Sequence, residues 1–559
     1  MAADYQDSES RVGWRRWLNQ TTIGFTVLAI TVVASLVQIT LAAREAAPKG
    51  KTVLRIAHWQ LEAGYRDALQ WTIDEYAKVR PDVHIEQVGI TEKIYGQWLN
   101  CQLISNEAPD LAEMGMTNRA QDDSYTLRYF EPMSEVVAQP NKYNVGTELE
   151  GVAWKESFVD GMRGGYRPQL LEYYSIPTTM YTTRMYVNVG LLEEATGSRE
   201  LPRTFGQYLD ACKKLEELGA RTGRRIIPAS SCYRMDDWMI LSKYRTGFTT
   251  KFEKELDTDL DGLITNLETY VGYMNGHVSF QSPEVIAYYE AMQAMADTLG
   301  KGYAAVDRQQ AQFRFNQGQT AFLVTGSWDA AGLKRRFDKL GWTLAVMDNP
   351  LPAKGEKWGE LMSGPSNEAS YGGGGNYGVY KFGKNKEIAT DFLKFVTSQK
   401  INAEFNARAL WLPITIGADV PDLLKPFIPR AEGFVAKIDM KIGSEVSNRL
   451  TGQETLMFNR EISYDQLARV VDETIRDPKI GGDRAFGFEY DRQLVESRSH
   501  ERVLANMSAQ MLLGDGMSAG AGDMAVKYRK ALIQHVRKNN GQETRYKFEK
   551  LRNRPIPSL

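Results

Sequence analysis

Val53-Leu54-Arg55-Ile56-Ala57 is a strand-like run, and the chain beyond it alternates helix and strand signals. Tyr65, Leu69, Trp71-Thr72-Ile73 and Tyr76 recur at helical spacing. Pro81 ends that helix, and Val83-His84-Ile85-Glu86-Gln87-Val88 alternates as a strand does. Ile94, Trp98, Cys101 and Leu103 mark a second helix, with Cys101 on its apolar stripe as a buried thiol. Ala108-Pro109-Asp110 then breaks into Leu111-Ala112-Glu113-Met114. This βαβα order predicts an α/β sheet with mostly parallel strands. Such sheets bind ligands beyond the carboxyl ends of their strands. The residues from His58 to Glu62 and from Glu113 to Arg119 are therefore the first functional candidates.

The chain around this segment has 559 residues, room for several domains at about 150 residues each. Charged residues are 25% and hydrophobic ones 43%, globular proportions that exclude a disordered, collagenous or multi-spanning protein. A formal net charge of -2 gives no basic surplus for nucleic acid. Cys101, Cys212 and Cys232 form no C-x-x-C pair, which excludes a disulfide framework and a zinc finger. Upstream, Leu18 to Ala43 carries no charge, and Trp14 and Trp17 sit where an interfacial belt would lie. A bilayer core needs about 20 apolar residues in a helix. Residues 1–20 thus read as a tail and 21–43 as a transmembrane anchor, with 44–52 as a linker. Ala42-Ala43 leaves cleavage open, and basic residues on both flanks leave the orientation open.

Further motifs carry a resemblance. Leu54 to Trp59 with Ala108-Pro109-Asp110-Leu111, Tyr174-Ser175-Ile176-Pro177, and Met185-Tyr186-Val187-Asn188 with Leu191 to Gly197 occur in order. So do Leu201-Pro202-Arg203-Thr204-Phe205, Phe315 to Phe322 leading to Gly326-Ser327-Trp328, and Asn385 to Ala389 with Phe392 to Phe395. Together these resemble family 1 extracellular solute-binding proteins, the sugar-type receptors of ABC importers. The resemblance spans about 53–415. It implies an α/β, two-lobed, hinged periplasmic-binding-protein fold, type II-like, with the N-terminal transmembrane helix and a helical C-terminal extension added. By that analogy lobe one is 52–178 plus 352–397, lobe two is 179–350 plus 398–480, and 481–559 is the extension. Crossings between lobes are expected near Thr178–Thr183, Pro350–Ala353 and Thr397–Gln399.

The implied solute is a sugar or oligosaccharide, held by rings on its C–H faces and by carboxylates, amides and Arg on its hydroxyls. Trp328 lies where the family's Gly-x-Trp segment puts a stacking aromatic. Trp59 and Glu62 come after the first strand, and Glu113 and Arg119 after the third. Tyr181 sits at the first crossing, Asp237 and Trp238 in a loop whose counterpart supplies an aromatic, and Trp411 before Pro413. Each of these has packing or a solvated charge as its plain alternative. Gly373 to Gly378 matches G-x-G-x-x-G but lacks the preceding strand and the helix opening of a dinucleotide site; Val379 to Phe382 reads as the strand. Asn376 is instead expected to donate to solute where the backbone approaches it.

Asp257-Thr258-Asp259-Leu260-Asp261-Gly262-Leu263-Ile264-Thr265-Asn266-Leu267-Glu268 fits D-x-D-x-D-G-x5-E. Asp257, Asp259 and Asp261 would converge as oxygen ligands on a structural Ca2+. Gly262 allows the turn, Leu263 offers its carbonyl, Thr265 acts directly or through water, and Glu268 closes the shell. Gly272 and Asn275-Gly276 argue against a full exiting helix. Residues 481–526, with Gly514–Gly522, read as partly loose, and Lys527 to Arg554 is basic, as a solvated helix or a docking surface. No H-E-x-x-H or G-x-S-x-G is present. The expectation is a membrane-anchored, non-enzymatic receptor facing the periplasm or exterior, partnered by ABC permease subunits and the lipid bilayer and not by nucleic acid. An anchored carbohydrate sensor is the alternative, and a paired-carboxylate glycosidase a more distant one.

Overall fold

The computed structural model describes residues 50–115, 123–167, 170–231, 240–258, 260, 262–369, 373–513, 525–533 and 535–536, together with Thr26, Leu28 and Thr31. The anchor at 21–43 otherwise lies outside these residues. Among the described residues no helix is long and apolar enough to cross a membrane.

Strand β1 (Thr52–His58) pairs in parallel with β2 (Val83–Gly89) and β3 (Leu111–Glu113). Between them run the helices Tyr65–Val79 and Glu92–Ile104, so the first sheet grows by helical crossovers as parallel pairing requires. A short hairpin, β4 (Tyr166–Arg167) with β5 (Glu172–Tyr173), precedes β6 (Ile176–Met180). The second sheet begins with β7 (Thr183–Asn188), joined by β8 (Ala229–Ser230), β9 (Phe322–Gly326) and β10 (Leu344–Met347). Strand β11 (Gly373–Val379) returns to the first sheet, whose order is β2-β1-β3-β11-β6. β11 runs antiparallel to β3 and β6, so the other strands of this sheet share one direction. The second sheet is ordered β10-β7-β9-β8, with only β8 and β9 parallel. All residues of β7 are buried, as expected of a central strand covered on both faces.

These sheets define two lobes. Local signals place their helices. The helix Phe205–Thr222 starts where the Thr204 side chain accepts from the Gln207 amide, and ends at Gly223 with φ 67°. One apolar core joins Met185, Tyr208, Tyr244, Met292 and Leu450 in lobe two. A second runs from Leu54, Tyr65 and Trp154 in lobe one to Leu323 and Phe337 on the other face of the second sheet.

Several boundaries differ from the sequence expectation. The chain first passes from one sheet to the other at Tyr181-Thr182, between β6 and β7. The second crossing is not at Pro350–Ala353: Trp358, Leu361 and Met362 still pack on the lobe-two core, and Gly373 already opens β11 of the first sheet. The third lies beyond Leu412, not at Thr397–Gln399. The helix Gln399–Ala409 packs on helix Tyr65–Val79, with the Phe405 ring 5.3 Å from Tyr65. Cys101 is exposed, not buried. The buried face of its helix is Tyr95, Leu99 and Leu103, because the Tyr95 hydroxyl is drawn inward to donate to the Ala57 and Glu113 carbonyls. Gly373 to Gly378 is itself strand, not a loop before one. Within 481–526, read as a partly loose stretch of a helical extension, residues 482–513 form one continuous helix.

Candidate functional site

Beyond the ends of β1 and β3 a cleft of about 450 Å3 opens between the lobes. From lobe one, Trp59, Gln60 and Glu62 come just after β1, Glu92 opens the next helix, and Glu113 ends β3. The hairpin side adds Gly164, Arg167 and Ser175, and β11 contributes Gly373 to Asn376. Tyr181 enters from the crossing, Arg308 and Trp328 from lobe two, and Trp411 from the segment after helix Gln399–Ala409. Trp59, Glu62, Glu113, Tyr181, Trp328, Asn376 and Trp411 are thus brought together from distant sequence positions. Arg119, Asp237 and Trp238 lie outside the described residues.

Glycine makes this convergence possible at two positions. Trp328 folds back over the end of β9, where a Cβ on Gly326 would lie 2.1 Å from its ring. Gly375 has φ +56°, and a Cβ there would meet the Thr178 hydroxyl at 2.4 Å and the Tyr65 hydroxyl at 2.6 Å. The cleft's aromatic rings are held in pairs: Tyr181 meets Trp328 edge-on at 5.7 Å, and Trp411 is backed by Tyr65 at 5.0 Å. Trp59 stands edge-on to Tyr95 at 5.0 Å.

Its polar groups are held in two sets. Arg308 bridges the lobes, donating to Glu62 at 2.8 Å and to Asp329 at 2.7 Å, with its guanidinium 5.6 Å from the Trp328 ring centroid. Burial raises the Glu62 pKa, against the pull of Arg308. Glu113 is fully buried and accepts from the Trp59 amide and the Gln60 side chain. Burial pushes its carboxyl up to about 8, so near neutrality it holds a proton and can donate as well as accept. His58, the last residue of β1, is held neutral: burial pulls its pKa down to about 4. Glu62 Oε2, Asn376 Oδ1 and Trp411 Nε1 are buried polar atoms with no protein partner among the described residues. The Asn376 amide donates instead to the Gly373 carbonyl at 2.6 Å.

Gln60, Glu92, Arg167, Ser175 and Arg308 also line this cleft and were not singled out from sequence. Gln60 lies inside the window after β1. Arg308 comes directly after Asp307, whose capping box with Gln310 marks a helix start, but its reach to Glu62 depends on tertiary packing.

The proposed calcium loop is partly visible. The Asp257 carboxylate accepts from the Gly262 amide at 2.9 Å, and Gly262 has φ +78°. Glu268 is buried, accepting from both Thr258 and Thr265. An exiting helix does form, Asn266–Met274, started by a Thr265–Glu268 capping box. Asp259 and Asp261 lie outside the described residues, and among the described ones no His, Cys, Asp and Glu cluster gathers as a metal site.

Two sheet-centred lobes facing each other across a ring-lined cleft define a solute-binding fold. The chain matches a family model, Bacterial extracellular solute-binding protein, over residues 72–422. It belongs to that family, whose members are binding proteins and not enzymes. Solved structures share the fold. The GacH receptor of Streptomyces glaucescens, studied unliganded and with acarbose, aligns at TM-score 0.52 and 17% identity, covering 76% of this chain and 98% of that one. A protein from work on xylan utilisation by Caldanaerobius polysaccharolyticus aligns at 0.53 and 17%, covering 76% and 100%. A chitin oligosaccharide binding protein aligns at 0.51 and 16%, covering 76% and 98%. No curated protein matches by sequence.

Proposed function

We propose that the cleft captures a sugar or oligosaccharide and that the chain delivers it to the membrane subunits of an ABC importer. The observation that carries this reading is the convergence of Trp59, Tyr181, Trp328 and Trp411 around Glu62, Glu113, Asn376 and Arg308. Flat rings suit sugar faces, and the unpartnered buried atoms suit a rim of hydroxyls. Family membership supports an extracytoplasmic site of action. The apolar segment 21–43 is read as the anchor that keeps the receptor at its membrane. A sensor that reports the solute to a membrane partner would use the same cleft. A thermal-shift screen against sugars and polyols tests the binding: a true solute at about 100 times its Kd adds about 2.7 kcal/mol of stability. No stabilisation by any sugar overturns the assignment.

The loop from Asp257 to Glu268 is read as a structural Ca2+ site, with Asp259, Asp261, the Leu263 carbonyl and Thr265 completing the ligands. Support comes from the match of every ligand slot, the Gly262 turn and the exiting helix. Millimolar Ca2+ is expected to raise the melting temperature and a chelator to reverse it, with Asp257→Ala abolishing the response. An identical melting temperature with Ca2+ and with chelator refutes the site.

A further inference from the structure

The C-terminal extension, beyond the region matched by the family model, touches both lobes. Helix Gly482–Leu513 spans about 48 Å at 1.5 Å per residue. It starts on lobe two. The Tyr270 hydroxyl donates to Asp483 at 2.6 Å, and the Phe486 ring lies 5.5 Å from that of Tyr270. Ala485 packs over Gly443, where a Cβ would leave only 2.3 Å to the alanine methyl. The described helix at 525–533 lies instead on lobe one. The Lys530 ammonium stands 5.5 Å from the Tyr166 ring centroid. Lys527 borders a surface groove with Glu131, Glu135, Glu172 and Asp391, and Ala531 is buried. The two helices also meet each other, with His535 Nε2 3.8 Å from the Glu501 carboxylate.

Tyr166 connects this contact to the cleft. It belongs to β4, its ring lies 5.0 Å from that of Tyr173 on β5, and its neighbour Arg167 lines the cleft. Gly164, just before β4, sits so close to β11 that a Cβ would come within 2.8 Å of the Gly373 amide. Displacing the hairpin therefore moves the cleft edge.

We propose that helices 482–513 and 525–533 form a strap across the two lobes, limiting their opening and positioning Arg167 at the cleft edge through Lys530 and Tyr166. The proposal rests on the reading of the cleft as the solute site for its effect on binding, and on the two-lobed fold alone for its effect on shape. Each strap contact is weak by itself, since an exposed ammonium over a ring and exposed ion pairs contribute little. They nonetheless favour one arrangement of the lobes over another, and any such preference shifts the population of open and closed states. The acidic groups bordering Lys527 are accompanied by Lys142, Lys386 and Lys394 on the same groove, so the attraction is a local one that salt screens.

The test uses the full chain with Lys527→Glu and Lys530→Glu combined, the first half-buried at the groove and the second exposed, and separately Tyr166→Leu. Without solute, small-angle scattering is expected to give a larger radius of gyration for the double variant. Salt at about 0.5 M is expected to move the wild type the same way. With a bound sugar, stopped-flow release is expected to quicken about tenfold, and less in Tyr166→Leu, while the melting temperature stays with the wild type. Unchanged radius and unchanged release in both variants overturn the strap. A wild type that binds no sugar removes the solute reading, and the scattering comparison then decides the strap alone.

Discussion

Glu368→Ala is expected to cost about 3–5 kcal/mol of unfolding free energy, the range for removing one partner of a buried ion cluster. The Glu368 carboxylate is almost inaccessible. It accepts from both Arg184 guanidinium nitrogens at 2.7 Å, from Lys243 at 2.9 Å and from the Arg430 amide at 3.0 Å. Alanine would leave Arg184 and Lys243 buried without their shared counter-charge. Asp348, 3.6 Å from Arg184, is half exposed and cannot replace it. The cluster also sits where the lobes join. Arg184 lies just past the first crossing, Glu368 comes shortly before β11, and Arg184 donates to the Pro426 carbonyl on the third. Urea denaturation measures the loss; a change under about 1 kcal/mol overturns the argument. The pH dependence has a definite sign. Burial alone would raise the Glu368 carboxyl, but the Arg184 hydrogen bond and the Lys243 charge outweigh it and hold the pKa at about 2, below the ordinary 4.5. A carboxyl depressed on folding contributes stability that is full above about pH 4.5 and is lost as pH falls through about 2. The acid limb of the wild-type stability curve should therefore flatten in Glu368→Ala.

Much of this architecture was legible in the sequence. The β1–β3 alternation gives the first sheet and the side on which its ligands lie, because strand and helix periods differ and parallel strands need crossovers. The windows that hold Trp59, Glu62 and Glu113 come from that rule. Trp328 and Trp411 needed the family resemblance, since nothing local says that the segments after β9 and after Leu410 face the same cleft. What stayed illegible was long-range. The face of helix Glu92–Ile104 turns on Tyr95 finding two carbonyls, one on β3. The second and third crossings shift because Trp358 and Phe405 choose a lobe by packing, which local spacing does not encode. Arg308 was invisible for the same reason: its partners Glu62 and Asp329 come from opposite lobes.

Trp328→Ala is expected to weaken solute binding by nearly two orders of magnitude. A sugar face covering about 100 Å2 of ring at about 25 cal/mol per Å2 gives about 2.5 kcal/mol, close to a hundredfold in Kd. The substitution also removes what shapes the cleft. Trp328 lies on the bare backbone of Gly326, faces Tyr181 edge-on and is capped by the Arg308 guanidinium. Without the ring, Arg308 keeps its bonds to Glu62 and Asp329 but loses the surface that aligns it over the cleft. The folded state should lose little, because Trp328 is only partly buried and stands at the rim of the apolar core. Trp328→Phe keeps a flat face and should recover much of the affinity, which a purely structural tryptophan would not require. Titration calorimetry with the sugar found by thermal shift reads both variants. An alanine variant within about threefold of the wild type would place the solute elsewhere, and the aromatic wall would then be packing alone.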